Sequence, residues 1–150
     1  MYRGNHPAKV DPKGRLKVPS AFKKLMDAAN VKQFYVTSAD GNSAEIWPLP
    51  EWEKVEDRLA GVSTMDDAVK TYMNLVNYYG HQVEIDDQGR VLLPQILRNK
   101  ARLDDVDVTV IGMRTYLEVH NREVFEKALP PDGLTDEHRK RMSAVLSERE

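Results

Sequence analysis

Two segments of the chain repeat one pattern. The first reads Asp11-Pro-Lys-Gly-Arg-Leu-Lys-Val-Pro19, and the second reads Asp86-Asp-Gln-Gly-Arg-Val-Leu-Leu-Pro94, which starts 75 positions later (86 − 11). Aspartate, glycine, arginine and proline occupy the same slots in both segments. Two copies of one supersecondary unit usually fold around a shared, pseudo-symmetric core. The chain is therefore predicted to be a tandem repeat.

A longer correspondence extends the repeat beyond these motifs. The segment Glu45-Ile-Trp-Pro-Leu-Pro-Glu-Trp-Glu-Lys54 aligns with Glu118-Val-His-Asn-Arg-Glu-Val-Phe-Glu-Lys127, at an offset of 73 (118 − 45). Each repeat is predicted to contain a strand, a turn, a strand, a helix, a strand pair and a helix. We therefore predict a first repeat at 1–60, a connecting helix at 61–79, a second repeat at 80–129 and a C-terminal helical tail at 130–150.

The charge of the chain is unevenly distributed. The whole sequence has 22 Lys and Arg against 24 Asp and Glu, a net charge of -2. Between Met1 and Lys24, however, seven Lys and Arg stand against one acid, Asp11, so the local balance is +6 (7 − 1). Clustered cations attract phosphate whatever the net charge of the protein. The basic N-terminal region therefore indicates a surface for a nucleic acid.

The sequence offers little for catalysis, metals or cofactors. It has no cysteine, which excludes disulfides and thiolate metal sites and fits a reducing compartment. Its four histidines are scattered without ligand spacing, so no metal site is predicted. It has no P-loop, dinucleotide fingerprint or nucleophile elbow. We predict that the protein is not an enzyme and takes neither a cofactor nor a small-molecule substrate.

No export or membrane segment is predicted. The N-terminus lacks the apolar run of a signal peptide, and no stretch approaches the ~20 apolar residues that a membrane span needs. We expect a soluble, cytoplasmic protein without a membrane partner.

The first motif is predicted to form a β-hairpin from Pro7 to Val18. Asp11 begins its turn, where a carboxylate can accept a backbone N–H, and Gly14 supplies a residue that tolerates positive φ. Asp86 and Gly89 hold the same slots in the second motif. These four residues are predicted to be structural turn residues.

Strand alternation separates the two faces of this hairpin. Side chains in a strand change face at every residue. Val10, Leu16 and Val18 are therefore expected to be buried, whereas Arg15 and Lys17 project to the exposed face.

Arg15 is the foremost candidate for reading DNA. A guanidinium can donate to guanine O6 and N7 together, while nearby ammonium groups hold phosphates. Lys9, Lys13 and Lys17 are the candidate phosphate contacts, and Arg3 is a candidate contact in an N-terminal arm. Lys23 and Lys24 are interpreted as a solvated helix face instead.

A purely structural role for the motif arginines stays open at this point. Arg15 and Arg90 could pair with Asp11 and Asp86 across their turns and fix the turn geometry. An exposed pair of this kind contributes only ~0–1 kcal/mol.

The combination of motifs resembles one bacterial family over nearly the full chain. It comprises Tyr2-Arg-Gly-Asn-His6, the Asp11–Pro19 motif, Ile46-Trp-Pro-Leu-Pro-Glu-Trp52 and the Asp86–Pro94 motif. The chain resembles the MraZ family, whose members carry two Asp-x-x-x-Arg motifs on an AbrB-like fold. This resemblance implies a transcriptional regulator of the division and cell-wall gene cluster that binds direct repeats in its own promoter. It also implies assembly into rings, the octamer among them.

The resemblance implies a role for the second motif similar to that of the first. It adds Gln88 and Arg90 to the candidate DNA contacts. The second motif, however, has Asp87 and Gln88 where the first has Pro12 and Lys13. The second turn has therefore lost much of its positive charge, and we interpret the first repeat as the main DNA-contacting unit.

The predicted fold class is α+β, a tandem repeat of AbrB/SpoVT-like swapped-hairpin units forming one pseudo-two-fold β core with peripheral helices. The predicted function is sequence-specific binding of double-stranded DNA in the nucleoid, as a repressor. The nearest alternative is an antitoxin-like AbrB-fold module, whose tail would be acidic and unstructured. A more distant alternative is an interaction scaffold or an unrecognised hydrolase.

Overall fold

The computed structural model describes residues 1–147, an α+β fold in which every strand pair is antiparallel. The first half contains β1 (Asn5–Lys9), β2 (Arg15–Lys17), α1 (Ser20–Ala28), β3 (Gln33–Thr37), β4 (Ala44–Pro48), α2 (Leu49–Ala60) and α3 (Asp67–Tyr78). The second half contains β5 (His81–Glu84), β6 (Arg90–Leu92), α4 (Gln95–Ala101), β7 (Asp107–Gly112), β8 (Leu117–Asn121), α5 (Arg122–Ala128) and α6 (Asp136–Ser147). The order of elements is therefore the same in both halves.

The two halves exchange strands. In the six-stranded sheet, with order β1-β7-β8-β4-β3-β5, the first strand of each half pairs with the third strand of the other. Strands β4 and β8 pair at the centre, and β2 and β6 form a separate two-stranded ribbon. Each half thus completes the hydrogen bonding of the other, and neither sheet belongs to one half alone.

This exchange corrects the predicted local hairpin. The turn between β1 and β2 forms, but the only strand-like pairing across it in the described chain is the bridge between Val10 and Leu16. Beyond that bridge, β1 joins the six-stranded sheet while β2 turns to β6. The two strands diverge because each finds its backbone partners in the other half of the chain.

Prolines begin several helices. Pro19, Pro48 and Pro94 are the N-cap residues of α1, α2 and α4, where a fixed φ suits the first turn. Within the predicted connecting helix at 61–79, α3 begins only at Asp67, because the carboxylate of Asp66 accepts the backbone N–H of Ala68 at 2.9 Å.

One hydrophobic core lies between the sheet, the ribbon and helices α1 and α4. Phe22 and Met26 of α1 are buried, while Leu25 of the same helix is 38% exposed. Leu16 and Val91 point inward from the ribbon and are fully buried. Because both repeats contribute to this one cluster, the core could not form from either repeat alone.

The C-terminal tail does not contribute to this core. All described residues of α6 are exposed, including its apolar side chains Met142, Val145 and Leu146. The predicted tail extends to 150, and its last three positions lie outside the described residues. Over residues 1–147 no helix combines the length and the apolar character that crossing a membrane requires.

Candidate nucleic-acid interface

The carboxylate of Asp11 organises the first turn. Its Oδ1 accepts the backbone N–H of Lys13 at 3.0 Å and that of Arg15 at 2.8 Å, and its Oδ2 accepts Nε of Arg15 at 2.8 Å. The backbone N–H of Arg15, with help from the Arg15 guanidinium and the N–H of Lys13, holds the pKa of Asp11 below its usual range. One ionised side chain therefore fixes both the turn and the direction of Arg15.

The second turn repeats this arrangement. Asp86 accepts the backbone N–H of Gln88 at 2.9 Å, that of Arg90 at 2.8 Å and Nε of Arg90 at 2.9 Å. The backbone N–H of Arg90 is the main cause that lowers the pKa of Asp86. The aspartate–arginine pairing that the sequence left open thus exists in both copies.

Glycine at the fourth position of each turn allows that turn to form a backbone hydrogen bond with the other repeat. Gly14 and Gly89 have φ of +88° and +76°. The carbonyl of Gly89 accepts the N–H of Val18, and the carbonyl of Gly14 accepts the N–H of Leu93, each at 2.9 Å. Besides their predicted role in the turns, the two glycines therefore link the repeats through reciprocal backbone hydrogen bonds.

Strands β2 and β6 present one mixed surface to solvent. Arg15 lies opposite Leu92, and Lys17 lies opposite Arg90. Because directly opposed residues in an antiparallel pair share a face, these four side chains lie together. We call this set, Arg15, Lys17, Arg90 and Leu92, the ribbon face.

The ribbon face has three cations and one aliphatic side chain. Arg15 and Arg90 are partly exposed, and Lys17 is exposed without a salt bridge within residues 1–147. Nη1 of Arg90 also lies 3.9 Å from Oδ2 of Asp11, so the second arginine contacts the acid of the first turn. The structure thus brings Arg90 beside Arg15 instead of giving it a separate surface.

The other predicted contacts lie around this face or away from it. Lys13 and Gln88 occupy equivalent exposed positions in the two turns. Lys9 lies at the end of β1, and its Nζ is 3.7 Å from Oδ1 of Asp107. Arg3 precedes β1 and lies against Gly112, at the end of β7. Lys9 pairs with Asp107 at the start of β7, so the two predicted contacts lie at opposite ends of that strand.

Two side chains lie against the turns, Arg98, which the sequence interpretation did not single out, and Lys23, which it placed on a solvated helix face. A Cβ added at Gly14 would lie 2.5 Å from Cζ of Arg98, and one at Gly89 would lie 3.4 Å from Cε of Lys23. Nε of Arg98 donates to the carbonyl of Leu93 at 2.8 Å, which holds its guanidinium in place. Lys23 is partly exposed, and its Nζ lies 2.6 Å from Oδ1 of Asp27 on the same helix. The 75-residue offset (98 − 23) was the signal that could have paired these two positions.

The described residues contain no metal-binding group. No cluster of three or more His, Cys, Asp or Glu side chains suited to a metal ion occurs within 1–147. The chemistry of the ribbon face is therefore that of cations, hydrogen-bond donors and one apolar side chain.

Comparison with known proteins decides the family. The model of a family described as "MraZ protein, putative antitoxin-like" matches residues 1–74 and 80–142. The chain belongs to the MraZ family. This confirms the resemblance drawn from the motifs, and the two segments matched by the MraZ model correspond closely to the two halves of the fold.

Curated MraZ relatives are similar over most of the chain, and three of them share the name "Transcriptional regulator MraZ". The protein from Acidobacterium capsulatum is 53% identical over 91% of this chain and 93% of its own length. The protein from Koribacter versatilis is 41% identical over 95% of this chain and 97% of its own length. The protein from Thiobacillus denitrificans is 32% identical over 84% of each chain. The prediction of a regulator rather than an enzyme agrees with these names.

Proposed function

We propose that the chain is a sequence-specific, non-catalytic DNA-binding regulator that presents its ribbon face to the major groove. The observation that carries this proposal is the concentration of three cations on one exposed two-stranded ribbon, two of them oriented by carboxylates. A two-stranded ribbon fits the major groove, where all four base pairs are distinguishable. The ribbon and the exchanged strands also support the finer assignment of two AbrB/SpoVT-like swapped-hairpin units related by a pseudo-two-fold axis.

Like charges on the ribbon favour an anionic partner. Lys17 and Arg90 stand directly opposite each other, an arrangement that destabilises an isolated ribbon. A phosphate or a base acceptor between them removes this repulsion. Asp11 and Asp86 compensate two of the three cations, and the remaining positive charge of the face favours a DNA phosphate.

Arg15 is prepared to read guanine. Its Nε is engaged by Asp11, which fixes the plane of the guanidinium and leaves both terminal nitrogens for a partner. Bidentate donation to guanine O6 and N7 uses such a pair of nitrogens. Asp86 holds Nε of Arg90 in the same way, but Nη1 of Arg90 also lies 3.9 Å from Oδ2 of Asp11. Because this terminal nitrogen already has an acidic neighbour, Arg90 should contribute less than Arg15 to base recognition.

The lysines supply affinity without sequence preference. Lys13, at the tip of the first turn, and Lys17, on the ribbon face, are exposed and form no salt bridge with residues 1–147. Phosphate contacts of this kind position a protein on DNA but carry little sequence information. Gln88 takes the place of Lys13 in the second turn, where it contributes hydrogen bonds without charge.

Head-to-tail assembly into a ring would present several ribbon faces to consecutive direct repeats. Two unlike surfaces support such an assembly. One is an apolar groove of about 230 Å³ between α2 and α3, lined by Trp52, Glu56, Leu59, Val62, Met73 and Val76 among others. The other is the exposed apolar stripe of α6, next to the basic run Arg139–Arg141, which suits the acidic rim at Glu56. Unlike surfaces that bind each other generate rings when the rotation closes.

The proposed targets are those that the family resemblance implies. We propose that this cytoplasmic, nucleoid-associated protein represses the division and cell-wall gene cluster by occupying direct repeats in its own promoter. Several weak contacts to consecutive repeats raise the effective affinity without a new type of contact. The names of the relatives support the regulator itself, while its targets rest on the family resemblance.

Three alanine variants test the division of roles. Arg15→Ala should remove most of the preference for the promoter duplex over a scrambled duplex, because the main base-reading group is gone. Lys13→Ala should weaken binding to both duplexes and flatten the salt dependence by about one contact. Lys54→Ala is the matched control, since it removes the same charge from α2, outside the ribbon face. Equal losses for all three variants on both duplexes would refute the proposed interface.

The family description also names an antitoxin-like character. An antitoxin-type module binds a toxin through a disordered acidic tail, whereas in this chain residues Asp136–Ser147 form a helix with a basic run. Promoter-specific binding by the purified protein alone favours the regulator. A requirement for a second protein in the DNA complex would favour the antitoxin.

A further inference from the structure

We infer that Leu92 is a second base-reading residue, which contacts the 5-methyl group of a thymine adjacent to the guanine bound by Arg15. This inference rests on the proposed function, because it assumes that the ribbon face enters the major groove. It assigns a specificity role to the one apolar member of that face.

Leu92 is exposed by the geometry of its strand. Its neighbours Val91 and Leu93 are fully buried, so alternation directs Leu92 outward, where it is 48% exposed. Alternation does not require an apolar residue at this position. The equivalent position of β2 holds Lys17 (92 − 75), a residue suited to solvent. The second repeat therefore has a leucine where the first has a cation.

A second apolar side chain accompanies this difference. Ile96, in the first turn of α4, is 51% exposed, and its equivalent in the first repeat is Ala21 (96 − 75). The second repeat thus has exposed apolar residues, Leu92 and Ile96, where the first has Lys17 and Ala21. The loss of charge noted in the second turn is accompanied by a gain in apolar surface.

The position of Leu92 next to Arg15 links the two to neighbouring bases. Their Cα atoms are partners in the ladder, and directly opposed Cβ atoms lie about 4.5–5.5 Å apart. Successive bases are stacked about 3.4 Å apart along one strand of DNA. Two side chains at this separation reach bases one or two steps apart, so a guanine at Arg15 places the next base within reach of Leu92.

The chemistry of the major groove selects thymine for that base. Its C5-methyl group is the apolar feature by which side chains distinguish it there. The surrounding cations Arg15, Lys17 and Arg90 make DNA the occupant that matches this face in charge. A second copy of the chain would have to bring acidic groups to the same place.

Replacement of thymine by deoxyuridine, one position at a time, in the promoter duplex tests the inference. This change removes only the methyl group. Wild-type protein should bind about fourfold more weakly when the thymine facing Leu92 is replaced, the value of one buried methyl-sized group. Leu92→Ala should bind the thymine and uracil duplexes equally at that position, and Ile96→Ala, the matched control, should keep the difference.

Leu92→Lys gives an independent readout, because it introduces the residue type that Lys17 has at the equivalent position of the first repeat. It should raise affinity for every duplex, steepen the salt dependence by about one contact and remove the methyl effect. All three substitutions are at exposed positions, and thermal melts that match wild type establish that the variants fold.

The outcomes separate this inference from the proposed function. Promoter preference with no methyl effect at any thymine overturns the role of Leu92 and leaves the regulator intact. A methyl effect that survives Leu92→Ala also overturns it. A change in assembly mass in Leu92→Ala, with unchanged DNA binding, identifies the face as a contact between copies and refutes the inference. Loss of all promoter preference in wild type refutes the proposed function itself.

Discussion

Gly14→Ala should destabilise the protein more than the same change at Gly89, although the two glycines are equivalent in the repeat. Both have positive φ, so alanine is strained at each by about 1–2 kcal/mol. The surroundings differ. The new Cβ at position 14 would lie 2.5 Å from Cζ of Arg98, whereas at position 89 it would lie 3.4 Å from Cε of Lys23. The first contact forces a displacement, and the second does not.

The additional cost at position 14 comes from Arg98. Its guanidinium must leave its place above the turn and lose the hydrogen bond from Nε to the Leu93 carbonyl, worth about 1 kcal/mol. Gly14→Ala should therefore cost about 2–3 kcal/mol in total, and Gly89→Ala about 1–2 kcal/mol. For a chain of this size, these values correspond to decreases in Tm of about 6–9 °C and 3–6 °C.

Thermal melts at one fixed protein concentration measure the difference. Gly4→Ala is the control for backbone strain alone, since Gly4 has φ of +81° and no atom within 4 Å of an added Cβ. In an Arg98→Ala background, Gly14→Ala should cost no more than Gly89→Ala does in wild type. An undiminished cost in that background would show that Arg98 is not the cause and refute the reasoning.

Three further predictions concern charge, assembly and the second arginine. Burial, together with Glu118 directly opposite, raises the pKa of Glu45. The free energy of unfolding should therefore fall as pH rises from the ordinary glutamate pKa through this higher pKa. In thermal melts across pH, Glu45→Gln should raise Tm at neutral pH but not near pH ~4.3. Leu146→Glu should reduce the assembly mass in sedimentation, because this exposed α6 side chain belongs to the proposed contact between copies; an unchanged mass would exclude α6 from the contact. Arg90→Ala should weaken promoter binding in titrations less than Arg15→Ala does, and a larger loss would reverse their ranking.

The turns could be predicted from the sequence because their chemistry is local. Aspartate at the first position and glycine at the fourth suffice to predict the turn, and its bonds run from Asp11 to residues at most four positions away. The same holds for Asp86. Alternation likewise placed Arg15 and Lys17 on the exposed face, since it depends only on the strand period.

The partners of the strands could not be predicted in the same way. The sequence indicates a strand at β2 but does not indicate its partner. In the structure that partner is β6, 75 residues away, rather than β1 across the turn. Local spacing favours the adjacent strand, and the choice depends on packing of Leu16 and Val91 in the shared core. The ribbon face escaped prediction for this reason, because Leu92 joins Arg15 only through that pairing.

Fluorescence anisotropy of the wild-type protein tests sequence-specific DNA binding most directly. The duplex upstream of its own gene is compared with a scramble of the same length at two salt concentrations. We predict a preference for the native duplex that persists at the higher salt, because base contacts add to the phosphate contacts. Equal binding to both duplexes that disappears with salt would contradict sequence-specific recognition and reduce the ribbon face to a basic patch.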